Sequence, residues 1–193
     1  MEFWYIWARI AVAEADKSVA ARGRFGASAD SANDSRALDD EVNSGVVAVC
    51  AAAFSLEALT LLLTPMVMPG TTVQTWKTGN PTKLVSRMRE TLKRSIALPN
   101  KHIEMLITAI EPVVNARGLA VHYIGDFEQP VPHPVAGQSH HHMITYGAEN
   151  ASKAVRALRA IYAEFIEHPK PAVRVWADQE KASLRLLVGP PAA

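Results

Sequence analysis

The residues of this chain best suited to chemistry stand in Asn115-Ala116-Arg117-Gly118-Leu119-Ala120-Val121-His122-Tyr123, where four residues separate an arginine from a histidine. A guanidinium can hold two phosphate oxygens through parallel hydrogen bonds, and an imidazole titrates near neutrality and can move a proton. Together they suit cleavage of a phosphodiester, and RNA brings its own nucleophile in the 2′-hydroxyl. On an unbroken α-helix, at about 100° per residue, Arg117 and His122 stand roughly 140° apart, on different faces. Gly118 offers another geometry, because glycine readily takes the left-handed conformation that ends helices. A turn at Gly118 is therefore expected, swinging both side chains toward one surface.

Further polar residues surround this pair in the sequence. Lys83, Arg87, Arg89, Lys93, Arg94 and Lys101 precede it, opposed by Glu90 and Glu104. They read as the solvated face of an amphipathic helix, and Lys93, Arg94 and Lys101 also stand where they could lead an RNA backbone toward Arg117. Lys153, Arg156 and Arg159 form a second basic row at three-residue steps. Glu57 interrupts an apolar segment, and an isolated buried charge is very costly, so it needs a partner or a wet cavity. Arg117 is one candidate partner, with Glu57 then orienting it from behind; the other reading is that Glu57 marks where its helix meets solvent. His133, His140, His141 and His142 are of the type that ligates zinc or nickel, but no carboxylate or cysteine at ordered spacing completes a site, and no metal is expected. Cys50, in the apolar run from Val46 to Phe54, reads as an inert buried thiol and leaves no intrachain disulfide to form.

The elements that must position these residues read as helices. Residues 3–22 suit a first amphipathic helix ending near Gly23. From Gly23 to Ser44 the chain turns to Gly, Ala, Ser, Asp and Asn, which predicts an acidic loop. Val46 to Leu63 is apolar on almost every side, which predicts a helix at the bundle centre, stopped by Pro65, Pro69 and Gly70. That segment approaches the roughly 20 apolar residues that cross a bilayer. Glu57 and Pro65 favour a core helix instead, and no membrane is expected as a partner. Asn80-Pro81 reads as an N-cap and first turn, followed by Leu84, Val85, Met88, Leu92 and Ile96 at helical steps and closed at Leu98-Pro99. A further helix from Asn100 carries Ile103, Leu106, Ile107, Ile110, Val113 and Val114, with a kink expected at Pro112. A Pro-, Gly- and His-rich loop follows Tyr123 through Gln138. Ala151 to His168 then forms a strong helix on Val155, Leu158, Ile161, Tyr162 and Phe165. The tail, Ala172–Trp176 and Leu184–Val188, alternates enough to predict a short β-hairpin, with a short helix as the rival.

These elements predict an all-α fold, an up-and-down bundle of about five helices over residues 1–170, with the hairpin in a C-terminal extension over residues 171–193. The chain has 193 residues, enough for one domain with a real core, and 49% of them are hydrophobic. Twenty Lys and Arg nearly balance 19 Asp and Glu, for a net charge of +1, which argues against holding long duplex DNA by charge alone. The opening Met1-Glu2-Phe3-Trp4-Tyr5-Ile6-Trp7 lacks the basic lead and cleavage site of a signal peptide, and a cytoplasmic location is expected.

The order of helices and the segment from Arg117 to His122 resemble the HEPN superfamily of small helical bundles, whose mark is an Arg-x4-6-His motif near the end of the third bundle helix. An apolar helix with Ala53-Phe54-Ser55-Leu56-Glu57-Ala58-Leu59 comes before the motif, and Ala151 to Leu158 follows it, so the likeness runs from about Trp4 to His168. The resemblance implies a metal-independent endoribonuclease without a cofactor, often a toxin or defence factor, acting on RNA. Two protomers would share one cleft, so a homodimer is implied, and an antitoxin is a partner to consider. His122 would be the general acid/base and Arg117 the stabiliser of the phosphate. Where active members commonly have a polar residue after the arginine, often Asn, this chain has Gly118. That difference favours the alternative, a non-catalytic module of the same kind used for dimerisation or for binding RNA or a partner.

Overall fold

The structure, a computed structural model, describes residues 2–26, 31–68, 70, 84–121, 131–133, 137–139 and 144–189. Helix α1 (Phe3–Arg24) buries Trp4, Ala8, Ala11, Ala15, Ser18 and Ala21, spaced by three or four residues. Apart from Trp4 these side chains are small, and α2 (Ser31–Val67) answers with Gly45, Ala48, Ala51 and Ala52. The two backbones therefore come close enough for side chain-to-backbone bonds across the pair. The Ser18 hydroxyl donates to the Glu41 carbonyl at 2.8 Å, and the Ser55 hydroxyl donates to the Trp4 carbonyl at 2.5 Å, which fixes α1 and α2 as antiparallel.

Helix α2 has 37 residues and is about 55 Å long at 1.5 Å per residue. It begins at Ser31, so the expected acidic loop is instead largely helical. The inward stripe of the apolar run simply continues backwards through Gly45, Glu41 and Ala37, all buried. Pro65 does not stop this helix either; its ring lies on the exposed side, and α2 continues to Val67 before the chain bends at Met68. The central position expected for this helix is observed, since α2 packs against α1 and three further helices and touches a fourth. It is long and apolar enough to cross a membrane, and 56% of its most apolar stretch is buried inside the bundle.

Helix α3 (Leu84–Ser95) and helix α4 (Asn100–Val121) follow, and Pro112 lies within α4. The Asn80-Pro81 cap lies outside the described residues. A short antiparallel pair, β1 (Val131–His133) and β2 (Gly137–Ser139), occurs where a loop is expected, with Pro132 opposite Gln138. Helix α5 (Ala148–Glu167) buries Val155, Leu158, Ile161, Tyr162 and Phe165, the stripe expected of it.

The C-terminal hairpin is not observed: residues 171–188 form two short helices, α6 (Pro171–Gln179) and α7 (Lys181–Val188). Pro171 occupies a first-turn position, and Gly189 ends α7 at φ 79°, a conformation that favours glycine. Val173, Trp176 and Ala177 are spaced three and four apart, as are Leu184 and Leu187 three apart, and all are buried in the same core as α1 to α5. Trp176 meets Trp4 and Phe165 edge-on, with ring centroids 5.9 and 5.5 Å apart. The described residues thus form an all-α bundle of seven helices with one small strand pair.

One charged group is fully enclosed in this bundle. The Glu41 carboxylate is 0% exposed and takes hydrogen bonds from Arg22 Nε at 2.6 Å, from Arg22 Nη2, and from the Ala148 backbone N–H at 2.8 Å. It thereby joins α1, α2 and the first turn of α5, and its negative charge suits the positive end of α5. Next to it, Gly45 of α2 lies against the backbone of Tyr146: a Cβ at position 45 would fall 1.6 Å from the Tyr146 carbonyl oxygen. Gly45→Ala should therefore destabilise the fold by about 1–3 kcal/mol despite its better helix propensity, because backbone must move. Gly23→Ala, with open space around it on α1, should stabilise by about 0.5–1 kcal/mol. Urea denaturation of both variants checks the pair, and equal effects would contradict the packing described.

Candidate functional site

The expected site begins with the last turns of α4. Ala116 is buried, and its carbonyl accepts a 2.7 Å hydrogen bond from the hydroxyl of Tyr146, itself nearly buried just before α5. That bond fixes the end of α4 against the turn that Gly45 and Glu41 hold. Arg117 follows and crosses to α2. Cys50, Phe54 and Glu57, spaced four and three apart, occupy one face of α2 there.

The Arg117 guanidinium lies 4.8 Å over the Phe54 ring centroid, and its Nη2 lies 3.5 Å from Glu57 Oε2. At that length the carboxylate contact is an ion pair at the outer edge of hydrogen bonding. Both side chains are about one-third exposed, 29% for Arg117 and 33% for Glu57, so the contact is partly screened by solvent. The pairing with Arg117, one of the two readings open from sequence, is therefore present, and Glu57 also stands where its helix meets solvent. Stacking on Phe54 adds an attraction that desolvation strengthens. The Arg117 Nε–H is different: it is buried and has no hydrogen-bond partner among the described residues. Leaving such a donor unpaired costs about 1–3 kcal/mol, and the part of the guanidinium open to solvent is its Nη edge.

Two titratable neighbours respond to this setting. Burial pushes the Cys50 thiol above its ordinary range, and the Arg117 guanidinium opposes that only in part. The thiolate is thus disfavoured at Cys50, which is half-buried rather than fully buried as expected. Burial likewise raises the Tyr146 phenol, with Cys50 adding to the effect, so Tyr146 remains a donor to the Ala116 carbonyl.

The turn expected at Gly118 is absent. Helix α4 continues through Gly118 to Val121, and among the described residues only Gly26 and Gly189 have positive φ. The physical reason is that nothing crowds Gly118 and the neighbours Ala116, Leu119, Ala120 and Val121 all continue a helix at little cost. His122 lies outside the described residues, as do Lys83, His140, His141 and His142.

The three expected substrate-guiding residues stand elsewhere on the molecule. Lys93 Nζ lies 3.0 Å from Glu104 Oε1, and Arg89 Nε donates to the other oxygen at 3.0 Å. Lys93 first, and Arg89 with it, hold the Glu104 carboxyl below its ordinary range. Arg94 and Lys101 are exposed. Glu104 and Arg117 are thirteen positions apart on α4, about 20 Å along its axis, so this cluster does not adjoin the arginine. In the second row Lys153 pairs with Glu149 at 2.6 Å, while Arg159 Nε donates to the Leu187 carbonyl at 2.9 Å and serves the packing of α7. Among the described residues no three His, Cys, Asp or Glu side chains gather as a metal site would require.

Sequence reasoning missed Phe54 and Tyr146. Phe54 carried a signal, standing three residues before Glu57 and hence on its helix face. Tyr146 carried none, because its contact with Ala116 spans 30 residues. No protein-family model, curated protein or solved structure matches this chain.

Because Gly118 is helical and uncrowded, Gly118→Ala should raise stability by about 0.5–1 kcal/mol. Thermal or urea unfolding measures it. A loss of stability would mean that position 118 needs the left-handed conformation after all.

Proposed function

We propose that this chain is a HEPN-like helical module that takes an RNA phosphodiester at Arg117 and cleaves it, without a metal, using His122 as general acid/base at a cleft between two protomers. The observation that carries this reading is the state of Arg117: its guanidinium is held between Glu57 and Phe54 and is still partly exposed. An arginine serving only as a helix-end cation would have no need of such a setting. Glu57 fixes the plane of the guanidinium, which leaves its remaining N–H groups for phosphate oxygens. In cleavage, the 2′-oxygen attacks the adjacent phosphorus as its proton passes to a base, the bond to the 5′-oxygen breaks, and that oxygen takes a proton, leaving a cyclic phosphate.

A second reading, binding RNA without cleaving it, is favoured by the unbroken helix through Gly118. Without a turn at Gly118, the convergence of Arg117 and His122 that this glycine offered is lost, and cleavage then rests on the partner protomer to unite them.

End-labelled single-stranded RNA incubated in EDTA separates the readings. The proposal expects cleavage by the wild type to a cyclic phosphate end, none by His122→Ala with RNA binding kept, and binding weakened about ten- to hundredfold by Arg117→Ala. Equal cleavage by all three proteins would remove the catalytic reading. Arg117-dependent binding with no cleavage would establish the second reading, and RNA binding indifferent to Arg117 would overturn both.

A further inference from the structure

Between α2, α4 and α5 lies a groove of about 560 Å³. Its floor is formed by Val49 of α2, Val113 and Ala116 of α4, and Ala157 of α5, all buried. It exists because the facing walls of α4 and α5 carry small residues where larger ones would fill the space, Ala109 and Ala160 at the mouth among them. Its volume lies within the roughly 300–1,000 Å³ of small-molecule sites.

The charged groups lie on one side. Lys153 and Arg156, one turn apart on α5, line the rim together with Asn150, with Thr108 on the α4 wall, and among the described residues no carboxylate lines the groove. Lys153 already carries Glu149 at 2.6 Å, and Lys153 above all holds that carboxyl below its ordinary range. Two cations and one carboxylate leave the rim with one net positive charge. The complement is a monoanion whose body is apolar.

We infer that this groove binds an aliphatic monocarboxylate, with the chain on the alanine- and valine-lined floor and the carboxylate at Arg156 and Lys153. This site is independent of the RNA reading, since it neither uses Arg117 nor needs His122. A guanidinium matches a carboxylate in two parallel hydrogen bonds, which makes Arg156 the main determinant of the head group. The apolar floor provides affinity in proportion to the chain surface withdrawn from water.

Isothermal titration with decanoate tests it on the whole chain. Saturable one-to-one binding is expected, weakened about tenfold or more by Arg156→Gln and lost in Ala160→Trp, which blocks the mouth. Both positions are exposed, so both variants should melt as the wild type does. Decan-1-amine, with the head charge reversed, should bind at least about tenfold more weakly. The inference is overturned by the absence of saturable binding below the concentration at which decanoate aggregates, by equal binding of the amine, or by full binding in Ala160→Trp. Association with anionic lipid vesicles in the absence of decanoate binding would also overturn it. RNA binding by Ala160→Trp should stay at the wild-type level, so failure of this site and failure of the RNA reading are told apart.

Discussion

The architecture turns on a carboxylate with no access to water. Glu41 is tolerated in the interior because Arg22 and the Ala148 N–H both bond to it, and without them a buried charge would be strongly destabilising. Its three bonds bring together residues 22, 41 and 148, which no local preference would hold in contact. The constraint then travels. Glu41 fixes the start of α5, the absence of a side chain at Gly45 lets the Tyr146 backbone settle on α2, and the Tyr146 hydroxyl reaches the Ala116 carbonyl. Arg117 is the next residue, so the guanidinium over Phe54 and beside Glu57 is located by a buried ion pair on the far side of α2's own sequence.

A second set of contacts closes the opposite side of the bundle. Ser95 and Ile96 meet His168, Pro169 and Lys170 through backbone bonds, with Ala97 N–H to the His168 carbonyl at 2.8 Å and Lys170 N–H to the Ser95 carbonyl at 2.8 Å. Inside, Ser55 links the Trp4 carbonyl to the Tyr162 hydroxyl. Burial holds that phenol well above its ordinary range, so it stays protonated and keeps the link. α1, α2 and α5 are thus fixed relative to one another at two levels, and the groove and the arginine site occupy different faces of α4 within that frame.

Much of this was legible where one period dominates. The stripe Val155, Leu158, Ile161, Tyr162, Phe165 reads as a helix because it fits no other spacing, and the run from Val46 to Leu63, apolar on almost every side, reads as a helix surrounded by others. Glu57 marked a position needing a cation or water, with Arg117 one candidate among the basic residues, and the structure supplies both the cation and partial exposure. The acidic stretch before Ser44 was illegible for the complementary reason: its buried members among the described residues are Ala37 and Glu41, and Glu41 reads as a surface residue until Arg22 is seen beside it. The tail misled because stretches as short as Val173–Trp176 and Leu184–Leu187 satisfy both the strand and the helix period, and docking against Trp4 and Phe165 decides between them. Gly118 misled because glycine permits a left-handed turn without requiring one.

Arg117 differs from two other arginines of the bundle in what is left of it to act. Arg22 and Arg159 are consumed by structure, bonded to Glu41 and to the Leu187 carbonyl, whereas Arg117 is placed by Glu57 and Phe54 with its guanidinium still partly exposed. The central claim, which rests on the proposed function, is that this exposed guanidinium takes a phosphate. Its most direct test follows the side-chain Nε–H resonance of Arg117 by nitrogen-15 NMR during titration with a short single-stranded RNA, the signal being assigned through its loss in Arg117→Lys. The account predicts a saturable shift of that resonance as a phosphate docks on the guanidinium; an Arg117 signal that stays in place while RNA saturates the protein would contradict it.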